Sequence, residues 1–248
     1  MITDLQPHIR CSREDAAKYA ILPGDPERVN RVKKFLDNAV DVAYNREFKT
    51  VVGYYKGVKV MAISTGIGGP STCIAVEELK NIGVETLIRI GSCGALQEGI
   101  KLGELIIANG AVRNDGTSET YVEKGYPAVP DTEVLLNLIK SAEELNYKYH
   151  CGRIRSHDSF YTDEEGAIDT YWGERGILGA DMESSALFVI GGLRNLKTAS
   201  ILNVVVESNG NLDEGINGYV DGESETSKGE EREILTVLET IVKLDKKK

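Results

Sequence analysis

Short apolar runs of strand length alternate along the chain with segments whose apolar residues recur at helical spacing. Residues 19–22 form the first such run. Pro23-Gly24-Asp25-Pro26 then turns the chain into a helix over 27–36, with Asp25 as N-cap and Pro26 at the first helical position, where its missing N–H costs nothing. Residues 48–55 and 58–64 read as two strands meeting at Lys56-Gly57, followed by the glycine-rich Thr65-Gly66-Ile67-Gly68-Gly69-Pro70. Pro70 opens a second helix, over 71–82, in which Ile74, Ala75, Leu79 and Ile82 share a face and must pack on a sheet. A strand over 86–90 runs into Gly91-Ser92-Cys93-Gly94, which reads as a second tight loop, and 104–108 offers another strand.

Asp131 caps a helix with Leu135, Leu138, Ile139, Ala142 and Leu145 as its apolar stripe, and 151–155 reads as a strand. Residues 184–193 and 199–206 supply a further helix and strand. Residues 207–231, rich in Gly, Asn, Glu and Ser, read as a mobile loop. A closing helix carries Ile234, Val237, Leu238, Ile241 and Val242, with lysines at its C-terminal end, where cations favour the helix dipole. With no repeat and no break in composition, residues 1–248 are expected to be one α/β domain layered around a mostly buried sheet.

Composition narrows the function classes. A chain of 248 residues, 41% hydrophobic, can bury a core without disulfides, and 29 basic against 39 acidic residues argues against a nucleic-acid or anionic-membrane surface. Cys11, Cys73, Cys93 and Cys151 form no C-x-x-C pair, and His8, His150 and His157 lack metal-ligand spacing. No metal, no disulfide framework and a reducing cytoplasm are therefore expected. The first residues carry charges instead of a signal peptide's apolar core, and no run nears the roughly 18 apolar residues that span a bilayer.

Three loops each follow an expected strand and offer tight glycine backbone or an arginine: Gly24 to Arg28, Thr65 to Gly69, and Arg89 to Gly94. Ligands of α/β sheets bind beyond the carboxyl ends of strands, and backbone N–H groups with arginine forks favour phosphate. Taken singly, each loop is explained as well by glycines that make turns and arginines in solvent. None matches a dinucleotide fingerprint or a P-loop.

Longer motifs are more specific. Pro23-Gly24-Asp25-Pro26-Glu27-Arg28-Val29, Arg46-Glu47-Phe48, Ser64 through Thr72, Ile74 through Leu79, Arg89-Ile90-Gly91, Asp115 through Ser118, Tyr126 through Val129, Phe160-Tyr161 and Met182-Glu183-Ser184 closely resemble the uridine phosphorylase branch of the nucleoside phosphorylases over residues 8 to 205. The resemblance implies a single-domain α/β/α sandwich with a central mixed, partly barrel-like sheet. It implies phosphorolysis of a ribonucleoside to free base and ribose 1-phosphate, without a cofactor and with inorganic phosphate as co-substrate. It assigns Gly24, Arg28, Arg89 and Ser92 to phosphate, together with Arg46 from a neighbouring subunit. Met182 and Glu183 fall to the ribose, with a neighbour's His8 near the 5′-hydroxyl, and Phe160 walls the base. Glu183 and Arg89 are the catalytic candidates, and the family's homodimers and hexamers imply shared sites. Cys93 is expected to be a packing residue, and Arg89 to be replaceable by alanine without loss of the fold.

Uridine phosphorylases read uracil with a glutamine and an arginine shortly after the Phe-Tyr pair; here Thr162-Asp163-Glu164-Glu165-Gly166 supplies neither. Glu164 and Glu207 are the candidate replacements, with solvated surface carboxylates as the alternative reading. Uridine is the first choice of substrate and a purine nucleoside the second. A nucleosidase or a non-catalytic nucleoside-binding relative ranks below both, since water needs no arginine cluster.

Overall fold

The computed structural model describes residues 4–208, 210 and 224–246. Its elements alternate much as the apolar pattern requires: β1 (Tyr19–Pro23), α1 (Pro26–Lys33), β2 (Asp37–Asn45), β3 (Phe48–Tyr55), β4 (Val58–Ile63), α2 (Gly69–Ile82), β5 (Thr86–Ala95), β6 (Leu105–Asn114), α3 (Gly116–Tyr121), α4 (Thr132–Glu144), β7 (Tyr149–His157), α5 (Glu165–Gly173), β8 (Gly179–Asp181), α6 (Ser184–Leu193), β9 (Lys197–Val206) and α7 (Ser224–Asp245). Local chemistry fixes the helix starts. Asp25 accepts from Glu27 N at 2.8 Å and Asp131 from Val134 N at 3.0 Å, each satisfying an orphan donor of the first turn.

The nine strands form one mixed sheet in the order β2-β3-β4-β1-β5-β8-β7-β6-β9, and β9 also pairs with β5. That last pairing closes β5, β8, β7, β6 and β9 on themselves, so the sheet is open at the β2 end and barrel-like at the other. One apolar layer lies between the sheet and α2 and α6, through Ala75, Val76, Leu79, Leu187 and Ile190. The second lies under α1, α4 and α7, through Val29, Val32, Leu138, Val237, Leu238 and Ile241. This is the expected α/β/α arrangement with a partly barrel-like centre.

Two sequence readings are corrected. Gly91-Ser92-Cys93-Gly94 is not a tight loop but the second half of β5, in register with β9 from Gly91↔Leu202 to Cys93↔Val204 and with a bulge before Gly94. Backbone pairing with a distant strand overrides the turn tendency of the glycines. Residues 224–231 are not loop either, since α7 begins at Ser224; 209 and 211–223 lie outside the described residues. Acidic composition concealed that first part of the helix. The pattern also passed over β2, α3, α5 and β8, because β2 is an edge strand with two register shifts and the others have nine residues or fewer.

Candidate active site

A cavity of ≈ 650 Å³ opens where β1, β4 and β5 end, beside the start of α6. Its wall includes Gly24, Arg28, Arg89, Gly91 and Ser92 at one end and Phe160, Met182 and Glu183 towards the other. Sequence-distant residues meet here because β1, β4 and β5 run parallel and release their loops on the same side.

Arg28, on α1, is 3% exposed. Its Nη2 donates to Ser92 Oγ at 3.0 Å, its Nη1 to Ile90 O at 3.3 Å and its Nε to Glu230 Oε2 at 3.0 Å. Glu233, one turn further along α7, lies 3.5 Å from Nη1 and accepts from Gly91 N at 3.1 Å. Burial, reinforced by the Glu230 charge and opposed by Arg28, pushes the Glu233 carboxyl up to about 8. Glu230 and Glu233 were not foreseen as site residues, and only the helical spacing from Glu230 through Glu233 to Val237 would have revealed them.

Arg89 points from β5 into the same space. Its Nε donates to Asp181 Oδ2 at 2.9 Å, and its Nη2 lies 2.6 Å from Glu183 Oε2. Burial works against the guanidinium, but Glu183 and Asp181 outweigh it and its pKa lies above the ordinary value. Gly91 makes room for this side chain: a Cβ there would stand 2.5 Å from Arg89 Nη2. The glycine is thus required by close approach, not by a turn.

Glu183 occupies the N-cap position of α6 yet makes no side-chain cap bond. Asp181 does the capping instead, accepting from Ser184 N at 3.1 Å and Ser184 Oγ at 2.6 Å. The Glu183 carboxylate is turned across the cavity and accepts from Gly68 N at 2.6 Å. Burial raises its pKa, Arg89 opposes that shift and Asp181 adds to it. A merely helix-stabilising role for Glu183 is therefore removed by the geometry.

The remaining candidates divide. Phe160 and Met182 line the cavity, whereas His8 and Arg46 do not face it within their own chain. His8 is anchored by its backbone N–H to Glu78 Oε2 at 3.0 Å, with its Nδ1 2.5 Å from Glu78 Oε1, and its side chain is 40% exposed. Arg46 sits exposed in the β2–β3 turn with φ 54°. Cys93 is buried; desolvation, then Asp181, raises its thiol pKa well above the ordinary value, as suits packing and not nucleophilic attack. Glu164 is exposed and lines neither this cavity nor the adjoining chamber, while Glu207 borders that chamber with its carboxylate 2.7 Å from Lys101 Nζ.

The fold and this cavity define an α/β enzyme whose site is built on two buried arginines flanked by carboxylates. The chain belongs to the phosphorylase superfamily, whose model matches residues 18–242. It is 55% identical over 157 residues to a uridine phosphorylase of Thermococcus kodakarensis, a match covering 63% of this chain and 57% of that protein. It is 40% identical to a guanosine phosphorylase of Halorubrum lacusprofundi over 89% of each chain. The crystal structure of uridine phosphorylase from Vibrio fischeri ES114 superimposes with a TM-score of 0.91 at 46% identity, covering 98% of this chain and 99% of that one. Family and relatives together make the chain a nucleoside phosphorylase, transferring a pentosyl group to phosphate. Among the described residues no helix is long and apolar enough to cross a membrane.

Proposed function

We propose that the chain cleaves uridine, phosphate attacking the anomeric carbon to give uracil and ribose 1-phosphate. The observation that carries this reading is Arg89, which lies against Gly91 on one side and against Glu183 on the other, in a cavity that Ser92 also lines. A phosphate held by Arg28, Arg89, Ser92 and the Gly24 loop would sit next to a ribose whose hydroxyls meet Glu183, with Met182 and Phe160 against the sugar and base. Phosphate is a weak nucleophile, so fixing it below C1′ supplies much of the rate. An oxygen lone pair of phosphate forms the new C1′–O bond while the C1′–N electrons leave with the base. The ribose passes through an oxocarbenium-like state that the Glu183 carboxylate favours.

Charge balance supports sharing of sites between subunits. Within one chain, Arg28 and Arg89 already face the carboxylates of Glu230, Asp181 and Glu183. A phosphate dianion needs a further cation, and Arg46 of a neighbouring copy would supply it, with that copy's His8 at the 5′-hydroxyl. We therefore read the enzyme as a cytoplasmic homodimer or hexamer acting in nucleoside salvage without a cofactor. The relative that is a guanosine phosphorylase keeps a purine nucleoside as the second reading. Base release from uridine, inosine and guanosine with and without phosphate tests both: phosphate-dependent cleavage with uridine fastest is expected, and phosphate-independent release would make the enzyme a nucleosidase.

A further inference from the structure

Behind Arg28 the C-terminal helix buries a second carboxyl. Glu233 lies on α7 one turn beyond Glu230, is 0% exposed, and is not in the wall of the main cavity. Its two oxygens address two residues that are in that wall: Oε2 accepts from Gly91 N at 3.1 Å, and Oε1 lies 3.5 Å from Arg28 Nη1. The second contact is an ion-pair distance without a hydrogen bond, and Oε1 has no hydrogen-bond partner among the described residues. A buried carboxylate so placed is poorly compensated.

Arg28 has a countercharge in Glu230, whose Oε2 accepts from its Nε at 3.0 Å, and both residues are nearly closed off from solvent. With Glu233 protonated, the three buried side chains are neutral together; with Glu233 ionised, they carry a net negative charge. Burial outweighs the pull of Arg28 and, with Glu230 adding to it and Gly91 N and Arg89 opposing, holds the Glu233 carboxyl at about 8. The titratable groups facing it are thus Arg28 from α1, Arg89 from β5 and Glu230 from its own helix, with the Cys93 thiol of β5 also under its field. The other elements packed on α7 hold their charges elsewhere: Lys59 of β4 at Ala16 O, Arg113 of β6 at Ser118, Lys197 of β9 at Glu133 of α4, and Glu144 of α4 at Lys243.

We infer that Glu233 is a positioning residue that couples phosphate binding to a proton: as the neutral acid it lets the Arg28 charge act on the anion, and an anion arriving at the ionised form draws a solvent proton onto Glu233. This rests on the proposal that phosphate binds at the Arg28 end of the cavity. An ionised Glu233 and the incoming anion would compete for one guanidinium where little water screens them, and like charges repel strongly there. By reciprocity, whatever the proton adds to anion affinity, the anion adds to the affinity for the proton. The neutral acid still accepts from Gly91 N, so the strand beside the anion is held in both states.

Sulfate is the discriminating probe, since it stays a dianion throughout while phosphate itself titrates. Calorimetry in two buffers of different ionisation heat counts the protons taken up as sulfate, and then inorganic phosphate, binds the assembled protein. Wild type should take up about one proton per site with sulfate at pH 9 and almost none at pH 7, and its sulfate affinity should fall about tenfold between them. Glu233→Gln keeps the shape and the acceptor for Gly91 N but cannot ionise, so it should take up no proton with sulfate at either pH and lose that fall in affinity. Sulfate binding to wild type at pH 9 without proton uptake overturns the inference with no variant needed, and so does uptake that survives Glu233→Gln. Should Glu233→Gln not fold, Glu230→Gln replaces it: loss of that neighbouring charge must move the fall in sulfate affinity to lower pH, and an unmoved midpoint overturns the inference. Those failures leave the phosphorylase reading standing, whereas binding of neither anion at any pH removes phosphate from the Arg28 end and the inference with it.

Discussion

Arg89 and Glu183 meet at 2.6 Å, both nearly excluded from solvent, so that one guanidinium ties the end of the cavity proposed for phosphate to the end proposed for ribose. Since Asp181 takes over the capping of α6, Glu183 is free to serve the cavity.

The same burial changes what Arg89 variants will do. Alanine would leave Asp181 and Glu183 buried without their counter-charge, at a cost of about 3–5 kcal/mol, so the fold will not be indifferent to it as the sequence suggested. Arg89→Lys keeps a charge but loses the fork. Its kcat/KM should fall about 100-fold or more while the protein stays folded, as steady-state kinetics alongside thermal melting will check.

Gly91→Ala should act on Arg89 indirectly. The new methyl would displace a guanidinium 2.5 Å away, costing about 1–3 kcal/mol in overpacking. We expect the KM for phosphate to rise at least about tenfold, a 1.4 kcal/mol loss, with a smaller change in the KM for nucleoside. A phosphate KM equal to wild type would detach Gly91 from the phosphate end.

Inactive Arg46→Ala and Glu183→Gln proteins, unfolded together and reassembled, should regain activity. In a two-fold dimer half the assemblies are mixed, and one site of each mixed pair keeps both residues, giving about a quarter of wild-type activity. Zero recovery in verified mixed assemblies would mean that each chain completes its own site.

Glu233 sets a pH dependence of stability. Its carboxyl is raised to about 8 in the fold, against about 4.3 in an unfolded chain, so between those values the folded state holds the extra proton. Stability from this group is fully present at acid pH and is lost as pH climbs through 8. Glu233→Gln should flatten the fall, which urea midpoints from pH 5 to 9 will measure; identical slopes would show that Glu233 does not carry it.

Much of the layering was legible because strands buried on both faces and amphipathic helices leave distinct periods. The phosphate and ribose candidates were legible only through motif resemblance, since no periodicity distinguishes Arg28 from a surface arginine. Long-range pairing hid from sequence reading: Gly91 to Gly94 look like a turn until β9 is set beside them, and Glu230 looks solvated until Arg28 lies beneath it. The base end was hardest. The acidic run after Phe160-Tyr161 points to Glu164, whereas α5 turns Glu165 and Asp169 towards the adjoining chamber and leaves Glu164 exposed.

The bond from Arg28 to Glu230 joins residues 202 positions apart, and it bears on how the protein is made. During synthesis the buried guanidinium of Arg28 has no α7 carboxylates to meet until nearly the whole chain has left the ribosome. The N-terminal strands can pair early, but the Arg28 end of the cavity takes its final form only when the last helix docks. Nascent chains stalled before that helix should be folded in part yet blind to phosphate.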